Sequence, residues 1–155
     1  ESLPEELRKN ITFCENDVKA LDKKSKCFVY AENDKLYLTD TQNGYIFDRE
    51  YVADSSFLKE FFAQNESLCV WSRKELAHFL DDIDISLCER GDDISLKAYV
   101  SSSSESGGMT LNKVLFRYLE VMPESTENAV SLLPRLFEAV GKSTAPILFF
   151  KTVLA

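Results

Sequence analysis

Lys26-Cys27-Phe28-Val29-Tyr30-Ala31-Glu32-Asn33-Asp34-Lys35-Leu36-Tyr37-Leu38-Thr39-Asp40-Thr41-Gln42-Asn43-Gly44-Tyr45-Ile46-Phe47 is the stretch whose reading decides the fold. Three short runs, Lys26 to Ala31, Leu36 to Thr39 and Tyr45 to Phe47, are rich in strand formers. Asn33-Asp34 is a turn signal between the first two. Gln42-Asn43-Gly44 separates the second and third, and Asn-Gly supplies the positive φ of a primed hairpin turn. Three strands joined by turns this tight form an antiparallel meander.

The pattern changes on either side. Upstream, Ile11 to Phe13 precedes an expected short helix over Glu15 to Leu21, and Leu3 to Lys9 reads as a short helix or linker with Pro4 in its first turn. Downstream, Asp54 or Ser55 caps a helix carrying Phe57, Leu58, Phe61 and Phe62 at helical spacing. Ser67 to Trp71 is a short buried strand, and Arg73 to Leu80 a helix. Ile85 to Cys88 is a candidate strand, followed by a helix from Ile94 capped by Asp92 or Asp93. Ser101 to Gly108 is a Ser/Gly-rich loop. Thr110 caps the next helix, and Ser125 or Thr126 another, which Pro134 kinks or breaks and Gly141 ends. A meander followed by alternating helices and strands predicts an α/β fold, a mixed sheet with flanking helices. The 155 residues suit one domain, with 1–10 as a linker. The apolar run Ala145 to Ala155 is expected to begin a helix leading into further chain.

Composition narrows the function classes. With 45% hydrophobic and 28% charged residues the chain is globular rather than disordered. A net charge of -8 repels phosphate, which argues against autonomous tight DNA binding. The lysines at 23, 24 and 26 form only a short cluster beside Asp22. Cys14, Cys27, Cys69 and Cys88 form no CxxC pair, and His78 is the single histidine, so no zinc set assembles. Reduced cysteines and the lack of a signal-peptide pattern point to the cytoplasm, and no apolar run reaches membrane-span length.

The segment Ile85-Ser86-Leu87-Cys88-Glu89-Arg90-Gly91-Asp92-Asp93-Ile94, running on to Val100, together with Met109-Thr110-Leu111-Asn112-Lys113-Val114, resembles the 3′–5′ exonuclease domain of bacterial family A DNA polymerases (DNA polymerase I). The resemblance runs most closely from Leu68 to Leu119 and more loosely over the rest. It implies a ribonuclease H-like (DnaQ-type exonuclease) sheet. It also implies a site in which four carboxylates hold two divalent ions about 4 Å apart. The family's first motif, Asp-x-Glu, is matched by Tyr30-Ala31-Glu32; the Asp is a Tyr and only Glu32 remains. The second, Asn-x-x-x-(Tyr/Phe)-Asp just after the strand at Val70, is matched by the run Ser72 to Leu76, with Leu76 taken at the metal position. The third, Tyr-x-x-x-Asp, is matched by Glu124 to Asn128. Tyr30, Glu32, Ser72, Leu76, Glu124 and Asn128 are therefore degenerate motif positions. One carboxylate does not hold two Mg²⁺ ions against their hydration. The resemblance thus implies a catalytically inactive domain with no cofactor of its own. It would serve as a scaffold for the polymerase domain of the same chain, a Mg²⁺-dependent DNA-directed polymerase, and meet DNA only through that parent, with no small-molecule substrate.

Sharper readings stand beside this one. An active nuclease with displaced carboxylates would draw on Asp34, Asp40, Asp48 or Asp93. An unrelated acidic protein-interaction module is a third reading. Asp81, Asp82 and Asp84 lack the Gly and distal Glu of an EF-hand loop and read as a solvated turn. His78 has no nucleophile elbow to serve. Trp71, Tyr30, Tyr37 and Tyr45 lack the interleaved Lys and Arg of a base-stacking surface and read as core and sheet residues.

Overall fold

Alternation along the meander buries both faces of the sheet. The computed structural model describes residues 11–18, 21–101 and 110–143. Strand β1 (Phe13–Glu15) is followed by the meander β2 (Cys27–Ala31), β3 (Lys35–Thr39) and β4 (Gly44–Asp48), antiparallel as its turns require. Helices α1 (Arg49–Asp54) and α2 (Ser56–Gln64) lead to β5 (Leu68–Val70), α3 (Arg73–Asp81) and β6 (Asp92–Asp93). Helices α4 (Ile94–Ser101), α5 (Leu111–Leu119), α6 (Thr126–Ser131) and α7 (Leu133–Ser143) follow. The strands form one mixed sheet in the order β1-β4-β3-β2-β5-β6, with β5 parallel to β2, β6 parallel to β5 and β1 parallel to β4.

Cys27, Val29, Leu36, Leu38, Tyr45, Phe47, Leu68 and Val70 point to one face, where α1, α2 and α3 add Val52, Leu58, Phe61, Phe62, Leu76, Phe79 and Leu80. Phe28, Tyr37, Ile46, Cys69 and Trp71 point to the other, covered by α4 to α7. Each fully buried Leu or Phe contributes about 1.5–3 kcal/mol relative to exposure. The α/β/α layering therefore follows from period-two alternation in strands whose two faces are both apolar. Among the described residues, no helix is long and apolar enough to cross a membrane.

The expected caps form. Ser55 Oγ accepts from Leu58 N at 3.1 Å, Thr110 Oγ1 from Lys113 N at 3.2 Å, and Ser125 Oγ from Asn128 N at 3.1 Å. Asp93, rather than Asp92, caps α4, its Oδ1 accepting from Leu96 N at 2.9 Å. The chain breaks between α6 and α7 at Leu132, and Pro134 sits in the first turn of α7, where it forfeits no helical bond.

Four local expectations are corrected. Phe13–Glu15 is a strand where a helix was expected to start at Glu15. Asn16 then turns with φ 51 and bonds Asp48 twice, at 2.8 and 2.9 Å. The β3–β4 turn takes its positive φ at Thr41 (φ 81), and Asp40 holds it by accepting from Gln42 N and Asn43 N. Gly44 is already in the strand; its missing Cβ makes room for the Phe13 ring, which such an atom would meet at 2.6 Å. Ile85 to Cys88 is not a strand; Cys88 N bonds Phe62 O at 2.7 Å, and the sixth strand is the two residues Asp92–Asp93. Helix α7 runs through Gly141 to Ser143. The expected Leu3–Lys9 helix, the Ser-rich loop from residue 102 and the Ala145–Ala155 helix lie outside the described residues.

Candidate functional site

Parallel pairing carries the C-terminal ends of β2, β5 and β6 to one edge of the sheet, beside the start of β3 and the end of β4. Tyr30, near the end of β2, faces Tyr37 across the β2–β3 ladder, with ring centroids 6.2 Å apart and planes tilted by 47°. The buried Tyr37 side chain lies beside Glu32 and Thr126. Burial, then the negative charge of Glu32, pushes Tyr37 up to about 12, so it stays a hydrogen-bond donor. Tyr30 is also raised, by burial first and then by Glu32 and Glu75.

Two cavities open on either side of this pair, both lined by Tyr30 and Glu32. One, of about 390 Å³, is bordered also by Arg49, Glu75, His78 and Asp82. The other, of about 360 Å³, is bordered also by Thr110, Asn112, Glu124 and Thr126. Arg49 stacks over Phe79 at 4.7 Å, bonds the Asn33 carbonyl and pairs with Asp82 at 3.3 Å. That pairing gives Asp82, in the 81–84 acidic turn, an Arg partner. His78 is exposed on α3.

Of the six motif positions, Tyr30, Glu32 and Glu124 meet around the second cavity. The other three do not join them. Ser72 caps α3, its Oγ accepting from Glu75 N at 3.3 Å, the first half of a Ser-x-x-Glu capping box. Leu76 is fully buried in the core under α1, α2 and α3. Asn128 is buried, and its Oδ1 accepts from Glu124 N at 3.0 Å. Glu75, the neighbour of the Leu76 that the motif match places at the metal position, borders the first cavity. The Glu75 carboxyl is raised from its ordinary value, by burial first and by Asp93 second. The cap signal from Ser72 could have found it, since a capping-box Glu must lie on the exposed side of the first turn.

The alternative carboxylates divide. Asp34, Asp48 and Asp93 lie at the same end of the sheet as Glu32, and Asp40 at the opposite end. Asp48 is bonded to Asn16 and lies 3.9 Å from Lys35. Asp93 accepts from Arg73 N, Ser95 Oγ and Leu96 N. Among the described residues, no three His, Cys, Asp or Glu side chains come together in a group that could hold a metal ion. The residues present do not fit a two-metal site. A phenol stands where the resemblance expects the first carboxylate, Glu32 lies beside Tyr37, Leu76 faces the far core, and the Asn128 oxygen accepts from the Glu124 backbone.

The remaining candidates are structural. Trp71 and Tyr45 are buried. Burial pushes the Cys27 thiol up to about 11 and Cys69 up to about 12, which makes both poor nucleophiles.

No protein-family model matches the sequence, and no curated protein matches it. Among solved structures, the fold is similar to "POL domain of Pol1 from M. smegmatis complex with DNA primer-template and dNTP", with a TM-score of 0.62 over 83% of this chain and 19% identity. The match spans 25% of that protein's chain. At this identity the likeness is one of architecture: the chain shares its mixed α/β fold with part of a bacterial Pol1.

Proposed function

We propose that this chain is a degenerate 3′–5′ exonuclease-like domain of a DNA polymerase I, catalytically silent and serving as a scaffold for the polymerase domain. Three things support the reading. The sheet order, an antiparallel meander with two further strands parallel to its first, is the one expected of a ribonuclease H-like exonuclease. The architecture is similar to part of a polymerase solved with primer-template and dNTP. The observation that carries the claim of silence is the Tyr30–Tyr37 pair, with Glu32 beside it, at the edge where the family gathers metal-binding carboxylates. On this reading Mg²⁺ belongs to the parent polymerase, DNA is met only through the parent, and the protein works in the cytoplasm. Calorimetric titration of this chain with Mn²⁺ tests it. The reading expects no saturable binding. Saturable binding abolished by Glu32→Gln would replace it with an active metal-dependent nuclease.

A further inference from the structure

The cavity of about 390 Å³ bordered by Tyr30, Glu32, Arg49, Glu75, Phe79 and Asp82 already carries one guanidinium in its wall. The Arg49 group lies over the Phe79 ring at 4.7 Å, donates to the Asn33 carbonyl and pairs with Asp82 at 3.3 Å. Asp82 thereby matches its charge. Glu32 and Glu75 remain, and neither has an ion-pair partner among the described residues. Tyr30 supplies an aromatic ring in the same lining, and the negative charge of both carboxylates reaches its phenol. The lining thus repeats one composition. Phe79 and Asp82 hold Arg49, while Tyr30, Glu32 and Glu75 present an aromatic face and carboxylates that no lysine or arginine of the described chain pairs.

A carboxylate pair beside an aromatic ring suits a planar cation that stacks and donates in a fork, as Arg49 does in the same wall. A divalent metal is a poor occupant. Among the described residues, no three ligating side chains come together, and two carboxylates supply too few oxygens for such an ion. An anion or a nucleic-acid phosphate is disfavoured too, because Glu32, Glu75 and Asp82 outnumber the single arginine of the lining. The volume lies at the lower end of the range of small-ligand sites, room for one side chain or a molecule of that size. We propose that the cavity between α1, α3 and the end of β2 binds a guanidinium group, stacked on Tyr30 and held by Glu32 and Glu75. The site stands on these side chains alone, so it holds for a silent nuclease and for an unrelated acidic domain alike.

NMR titration of the 155-residue chain with end-blocked Gly-Arg-Gly, end-blocked Gly-Lys-Gly and methylguanidinium chloride, at matched ionic strength, tests the proposal. Both carboxylates are on exposed residues, so binding is weak, with a dissociation constant on the order of 1–10 mM. The guanidinium probes give saturable shifts at Tyr30 and Glu75, and the Lys peptide binds about three-fold more weakly than the Arg peptide. Glu32→Gln and Glu75→Gln each weaken binding, and together they weaken it about ten-fold; the single variants keep the test open if the double variant does not fold. Asp34→Asn/Asp54→Asn removes the same two charges outside the cavity and leaves the affinity within about two-fold. Tighter binding of the Arg peptide than of methylguanidinium assigns the group to a protein side chain, and the reverse assigns it to a free small guanidine; both uphold the site. Shifts that never saturate, a Lys peptide that binds as tightly, or equal weakening by the Asp34/Asp54 variant overturns it.

Discussion

Asn128 fixes the start of α6 from two directions. Its backbone N–H donates to Ser125 Oγ at 3.1 Å, and its side-chain oxygen accepts from Glu124 N at 3.0 Å. The side chain is buried, so removing it strands the Glu124 donor. Asn128→Ala should cost about 1–2 kcal/mol in urea unfolding. Glu75 carries a different signature. Its folded-state carboxyl is raised above 4.5 by burial and by Asp93. The contribution of a raised acid is complete below 4.5 and fades as pH climbs through the higher folded value, leaving the ionised group a mild burden at neutral pH. Glu75→Gln should therefore raise Tm slightly at pH 7, and the gain should vanish below pH 4.5 in melts run across the range. Glu75 also shows why the site was only half legible. Successive helix positions differ by about 100°, so an alignment one residue out exchanges a cavity-facing Glu75 for a core-facing Leu76.

At the scale of elements, local chemistry was readable and distant chemistry was not. Ser55, Thr110 and Ser125 cap the helices they precede because the cap bond spans three residues. The meander was readable because its strands are joined by short turns. Strand β1 was hidden because three residues become a strand only through β4, with Phe13 seated on Gly44. Its partner lies 31 positions away, Phe13 opposite Gly44, and no local propensity records that. Strand β6 was hidden for the same reason, being two residues held by parallel pairing to β5. Gly44 supplies the element-scale prediction. An added methyl meets the Phe13 ring at 2.6 Å, and Phe13 sits on an edge strand, where it can move. Gly44→Ala should displace β1 and cost about 1 kcal/mol, with amide-exchange protection lost at Asn16 and Gly44, whose N–H groups bond Ile46 and Thr12. In Phe13→Ala the same substitution should cost less, the coupling of a double-mutant cycle.

For the molecule as a whole, two apolar layers around a six-stranded sheet explain why the scaffold does not depend on a metal site. The strands that would carry metal ligands are anchored by residues such as Phe28, Val29, Cys69 and Val70, all buried and none of them a ligand of Mg²⁺. A sheet edge without metal-binding carboxylates is therefore compatible with an intact core. The net charge of -8 works against a single strand brought to that edge. The most direct test is digestion of 3′-labelled single-stranded DNA by this chain in Mg²⁺ and in Mn²⁺. The account predicts label release no faster than in the protein-free control with either ion. Metal-dependent release that disappears in Glu32→Ala would contradict it.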